Sequence, residues 1–154
     1  MPTLAYNKRA KFDYEILDTY EAGVVLLGHE VKSVKNGHIS LKGSYVTIKK
    51  SGNAIPEFYL INTHISLYKK ASNVTNYEPT RARKLLLKKN EIKHLIGKKD
   101  EQGLTLIPIK IYTKRSIIKL EFGIGRGRKK YDKRDVIKKR ETDRNIRTLT
   151  KRII

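Results

Sequence analysis

The stretch "LTLIPIKIYTKRSIIKLEFGIG" alternates apolar and polar residues on both sides of a short polar break, and no other part of the chain leaves fewer folds open. A period of two puts every second side chain on one face, which suits a half-buried strand and defeats a helix. Two strands about a Thr113–Arg115 turn are therefore expected. Pro108 cannot donate a ladder hydrogen bond, so it marks an edge or a bulge in the first of them. The same rhythm in "FDYEIL", with Phe12, Tyr14 and Ile16 on one face, and in "AGVVLLG" predicts a hairpin joined through "DTYEAG". A second hairpin is expected in "SYVTIKKSGNAIPEFYLINTHISLY", around Ser51-Gly52-Asn53.

Helical spacing is rarer. Val31 and Val34 precede Asn36-Gly37, which predicts a short helix with a glycine stop. In the middle of the chain Pro79 and Thr80 open a helical stretch that takes in Leu85–Leu87, then Ile92, Leu95 and Ile96, with Gly97 as a stop. About six strands with flanking short helices point to a mainly β fold, an OB-type closed antiparallel barrel over residues 1–125. Residues 126–154 are too polar to pack and read as a basic tail, disordered when free and helical when bound, with Gly123, Gly125 and Gly127 as its hinge.

The charge says what such a fold would meet. Lys and Arg number 35 against 15 Asp and Glu, so the net charge is +20. From Arg126 onward 13 basic and 4 acidic residues give +9, which leaves +11 on the body. A charge of this size repels itself unless a polyanion neutralises it, with nucleic acid the leading partner and a membrane surface the second. The chain has no cysteine, which removes disulfides, thiol nucleophiles and thiolate metal sites. The opening "MPTLAYNKRAKF" lacks a signal peptide's apolar core and no run approaches a membrane span, so a cytoplasmic protein is expected, with no membrane partner.

Catalytic signals are weak. "GIGRGR" follows a strand but lacks the third-glycine spacing of a dinucleotide fold and the Gly-Lys-Ser/Thr of a phosphate loop. His29, His38, His64 and His94 fall in different elements, so neither a metal nor a cofactor is expected. Asp13 and Glu15, or Glu30 with a neighbour, could pair as acid and base, yet counter-charges in a basic protein explain them better. Basic clusters with interleaved aromatics carry more. Lys8, Arg9 and Lys11 lie beside Tyr6 and Phe12; Arg81, Arg83 and Lys84 form a second group; cations surround Tyr131 in a third. Cations neutralise phosphates, and an exposed aromatic ring stacks on an unpaired base. Glu30, ahead of Lys32 and Lys35, either accepts from a base edge or holds a neighbouring arginine.

The segments "NKRAKFDYEIL", "AGVVLLGHEVKSVKNG", "RARKLLL", "GLTLIPIKIY" and "GRGRKKYDKRDVIKKRE", in this order, resemble the SsrA-binding protein (small protein B) family. The resemblance implies an RNA-binding protein and not an enzyme. Its OB-type barrel would grip the tRNA-like domain of transfer-messenger RNA and deliver it to stalled ribosomes. By match it assigns RNA contact to Asn7, Lys8, Arg9, Glu30, Lys32, Ser33, Arg81, Arg83 and Lys84, and the adjoining Lys11 and Lys35 complete the set. It also implies that the tail enters the empty messenger channel and meets decoding-centre rRNA, through Lys129, Lys130, Tyr131, Asp132, Lys133 and Arg134. A monomer is expected. The competing readings are a structural ribosomal protein and a magnesium-dependent nuclease built on Asp13, Glu15 or Glu30.

Overall fold

The computed structural model describes residues 2–71, 74, 76–100, 104–128, 138–141 and 144. Between residues 2 and 128 the described residues form, in order, β1 (Thr3–Tyr6), α1 (Ala10–Asp13), β2 (Tyr14–Val24), α2 (Gly28–Lys35), β3 (Ile39–Ser40), β4 (Tyr45–Lys49), β5 (Glu57–Ile61), β6 (His64–Ile65), β7 (Arg83–Leu86), α3 (Lys89–Lys99), β8 (Leu104–Lys114) and β9 (Ile117–Gly127). Seven strands form one antiparallel sheet in the order β1-β8-β9-β2-β7-β5-β4, and β3 pairs with β6 in a sheet of two. The fold is thus mainly β, with more strands than the six expected.

The β8–β9 pair forms as its alternation dictates. Lys114 faces Ile117 across a two-residue turn in which Arg115 and Ser116 both have positive φ, the geometry that matches the twist of a tight hairpin. The register slips between Pro108 and Lys110, at the bulge the proline requires. The β4–β5 hairpin also forms, with Tyr45 opposite Ile61.

Three expectations are corrected. "DTYEAG" is not a turn: β2 runs through it as one strand of 11 residues, supported along its length by β9 from Tyr14↔Gly127 to Gly23↔Lys119. The stretch after Pro79 is not helical: Arg83–Leu86 is a strand between β5 and β2, and the helix begins only at Lys89 and runs past Gly97 to Lys99. The three glycines near the end are not a hinge but part of β9. A Cβ on Gly125 would lie 2.2 Å from the Glu15 carbonyl oxygen, and one on Gly123 would lie 2.8 Å from Ile16 Cγ2. Glycine is there because the β2 backbone passes too close for any side chain.

The core fills the concave side of the sheet with Phe58, Leu60, Leu85, Leu106, Ile111, Leu120, Phe122 and Ile124, closed by Val34 from α2 and Leu95 from α3. Each such side chain contributes about 1.5–3 kcal/mol by leaving water. On the opposite side Ala10 of α1 covers Ile107 and Ile109, so β8 is buried on both faces. The sheet curls until β4 comes within 8 Å of β8, Cα to Cα. Among the described residues no ladder joins β4 to another strand than β5, and hydrogen bonds do not close the sheet into a barrel. A polar cleft lies along this seam, lined by Asn7, Arg9, Lys42, Ser44 and Tyr45 opposite Thr105–Pro108. Among the described residues no helix is long and apolar enough to cross a membrane.

Candidate nucleic-acid interface

At the centre of the candidate surface is a carboxylate that the fold buries completely. Glu30 sits in the first turn of α2, where its Oε1 accepts the Leu27 N–H at 2.9 Å, an orphan donor of the helix start. Oε1 also accepts from Arg81 Nη2. Oε2 accepts from Arg83 Nη2 at 2.5 Å and Nε at 3.0 Å, from the Tyr77 hydroxyl at 2.9 Å and from Arg81 Nε at 3.2 Å. Burial by itself would raise the pKa of this group. The Arg81 hydrogen bonds, the Leu27 N–H and Arg83 outweigh it and pull the pKa from 4.5 to about 2. Burial and the neighbouring carboxylate push the Tyr77 phenol the other way, up to about 12.

Arg83, 0% exposed, spends all three nitrogens inside the protein: Nη1 donates to the carbonyls of Thr63 at 2.6 Å and Arg81 at 3.2 Å, and Nη2 reaches the Pro79 carbonyl at 2.9 Å. Arg81 differs. Its side chain is 27% exposed, and Nη1 donates only to the Ala82 carbonyl, at 3.3 Å. A guanidinium carries five N–H groups, and three of them account for the bonds described. One glutamate against two arginines leaves the cluster at +1, and Arg81 is where this charge reaches the surface. Ser33, also buried, ties α2 to the connection after β6 by donating to the Ser66 carbonyl at 2.6 Å. Lys32 and Lys35 of the same helix are exposed, and Lys32 lies 5.5 Å from the Tyr68 ring centre.

The second basic group surrounds α1. Lys8, Arg9 and Lys11 are exposed; Arg9 pairs with Asp13 at 3.3 Å and lies 4.9 Å from the Phe12 ring centre. Asn7 is engaged in the fold: its Nδ2 donates to the Pro108 carbonyl at 2.9 Å, its Oδ1 accepts the Arg9 N–H at 3.2 Å, and its own N–H binds the Ile109 carbonyl. The two groups are joined through the seam. Ser44, beside Arg9 in the cleft, accepts from the Thr63 hydroxyl at 2.9 Å, and the Thr63 carbonyl is the one that holds Arg83.

The predicted residues therefore divide. Lys8, Arg9, Lys11, Lys32, Lys35 and Arg81 present charge outward, whereas Glu30, Ser33 and Arg83, expected to touch RNA, lie inside and hold the surface in shape. Lys84, one residue beyond Arg83, projects from the opposite face of β7, where it pairs with Glu57 at 3.4 Å. Lys129–Arg134 lie outside the described residues. Just before them Arg128 is fastened to α1, its N–H on the Asp13 carbonyl at 2.7 Å and its Nε within 3.2 Å of the Lys11 and Tyr14 carbonyls. Beyond them Arg140, in a helical turn at 138–141, lies 5.9 Å from the Phe12 ring centre. Tyr77, Thr63 and Lys42 were not anticipated. The spacing R-x-R at Arg81 and Arg83 held the signal, since in extended backbone it sends both guanidiniums to one side.

Known proteins are similar to this chain over almost its whole length. The family model described as SmpB protein matches residues 4–152. An SsrA-binding protein from Trichodesmium erythraeum (strain IMS101) is 46% identical over 145 residues, covering 94% of this chain and 90% of the relative. An SsrA-binding protein from Geobacillus thermodenitrificans (strain NG80-2) is 48% identical over 143 residues, covering 93% and 88%. A chain from the solved structure described as "tmRNA-SmpB: a journey to the center of the bacterial ribosome" superposes with a TM-score of 0.62 at 46% identity, over 81% of this chain and 84% of that one. With the fold, the ordered motifs and these matches in agreement, the chain belongs to the SmpB protein family.

Proposed function

We propose that this protein binds transfer-messenger RNA through its tRNA-like domain and delivers it to stalled ribosomes for trans-translation. It acts in the cytoplasm as a noncatalytic monomer. The relatives are SsrA-binding proteins, and the solved structure it matches names tmRNA together with SmpB and the bacterial ribosome. The observation that carries the reading is the buried carboxylate: six hydrogen bonds converge on Glu30 and leave Arg81 fixed at the surface with N–H groups to spare. A guanidinium held in place in this way grips a phosphodiester oxygen without first losing side-chain freedom.

In this reading the sheet is an OB-type barrel with its seam at the β4–β8 cleft. Arg81, Lys32 and Lys35 on one side of the seam and Lys8, Arg9 and Lys11 on the other contact the RNA backbone. Asn7, Glu30, Ser33 and Arg83 set the shape of that surface, and Lys84 stands at its margin. Residues 126–154 serve the ribosome, with Lys129, Lys130, Tyr131, Asp132, Lys133 and Arg134 against decoding-centre rRNA.

The test is a salt titration of binding to the tRNA-like domain, with ordinary tRNA as competitor. Every phosphate neutralised steepens the salt dependence by about 0.7–0.9 in logarithmic slope. Preference for the tRNA-like domain that survives raised salt is the expected result. Equal binding to both RNAs, lost together as salt rises, would instead assign the charge to a general affinity for RNA.

A further inference from the structure

Between β6 and β7 the chain makes a long connection, residues 66–82, that carries Arg81 next to its end. Among its described residues no ladder forms, and the residue it delivers to the surface needs other restraints. Ser33 holds its start at Ser66 and the Ile65 N–H and Arg83 hold Pro79, and between them one side chain adds a further tie. The Tyr77 hydroxyl lies 2.8 Å from the Ile65 carbonyl and 2.9 Å from Glu30 Oε2, and it accepts from Arg83 Nη2 at 3.2 Å. Its ring stands edge-on to His29 at 4.8 Å. Among the described residues the buried His29 Nδ1 has no hydrogen-bond partner, and the two rings meet by packing.

We infer that Tyr77 is a positioning residue for RNA recognition: it staples the 66–82 connection to α2 at Glu30 and so fixes the direction in which Arg81 presents its free N–H groups. Without the hydroxyl, Glu30 keeps its bonds to Arg83 and Arg81, and Pro79 keeps the Ile65 N–H, but the side-chain tie from the middle of the connection to Ile65 and Glu30 is lost. The carboxylate that aims Arg81 then has one fixed partner fewer, and Arg81 keeps its charge on a looser mount. The inference rests on the proposed RNA face and deepens it.

A double-mutant cycle tests it, with the isolated tRNA-like domain of transfer-messenger RNA as ligand and thermal unfolding confirming that every variant is folded at the assay temperature. Tyr77→Phe preserves the ring against His29 and removes only the hydroxyl. It is expected to weaken binding about tenfold. The salt dependence should become shallower by the equivalent of one phosphate, ~0.7–0.9 in slope. Arg81→Ala should do the same, and Tyr77→Phe/Arg81→Ala should bind no worse than Arg81→Ala alone, because both changes remove one contact. In the free protein, the Arg81 Nε–H resonance should move toward that of a solvent-exposed arginine on Tyr77→Phe. A purely structural role would lower the unfolding temperature without altering salt slope or resonance. Undiminished binding by Tyr77→Phe, or losses that multiply in the double variant, would overturn the inference while leaving the RNA face standing. Undiminished binding by Arg81→Ala would overturn both.

Discussion

Among the described residues, two of the ion pairs between an arginine and an acid could hardly be placed more differently. Arg83 and Glu30 are both 0% exposed, whereas Arg9 and Asp13 are 69% and 27% exposed on a single turn of helix. In the buried pair every lone pair and N–H has a partner, because an uncompensated charge there would cost several kcal/mol. In the exposed pair water screens the attraction, which contributes little to the fold. The buried pair gives the surface its shape, and the exposed one gives it charge to spend.

The contrast breaks most visibly in stability. Glu30→Gln, which keeps the side-chain volume and removes the charge, should cost about 3–5 kcal/mol in urea denaturation because Arg83 is left buried without its counter-ion. A loss near that of a surface substitution would show that water enters the cluster. Acid gives an independent view of the same residue. Its folded pKa of about 2 lies below the ordinary 4.5, so its contribution is fully present above pH 4.5 and is lost as the pH falls toward 2. The amount is about 3 kcal/mol, and stability curves measured between pH 6 and 2 should be flatter in Glu30→Gln by this amount. Curves of equal steepness would place the acid response elsewhere.

The exposed pair should respond in the opposite sense. Arg9→Ala should change stability by less than about 0.5 kcal/mol. Its salt dependence of RNA binding should nevertheless become shallower by ~0.7–0.9. The smallest effect is expected from Lys84→Ala, since Lys84 faces Glu57 across β7 from the arginines. Its loss of RNA affinity should be smaller than that of Arg81→Ala in the same titration, and an equal loss would extend the interface round to that face.

The strands of regular alternation were readable from the residues, and so was the Pro108 bulge, since both rest on local geometry. What was not readable depended on a distant neighbour. "DTYEAG" has the composition of a turn and becomes strand because β9 supplies a partner along its length. "RARKLLL" has helix-forming residues and becomes strand because β5 and β2 stand on either side. Two of the three glycines that look like a hinge, Gly123 and Gly125, are the places where Ile16 and Glu15 press closest. The basic surface was visible as composition, but its division into outward and inward members was not, because only the fold shows that Arg81 and Arg83 share a single carboxylate.

The long pairing of β2 with β9 also sets a timetable. Tyr14 must wait for Gly127, whereas the Glu30 cluster needs nothing beyond Arg83. At synthesis rates of about 5–20 residues per second, β2 emerges some 5–20 s before the strand that will pair with it. Contacts so distant along the chain also slow the search that follows release. Through that interval β2 is an open sheet edge, and once Arg83 has been made every residue of the charged centre is present while the edge still waits, so the early hazard is not a wrong partner for its cations but a wrong neighbour for β2.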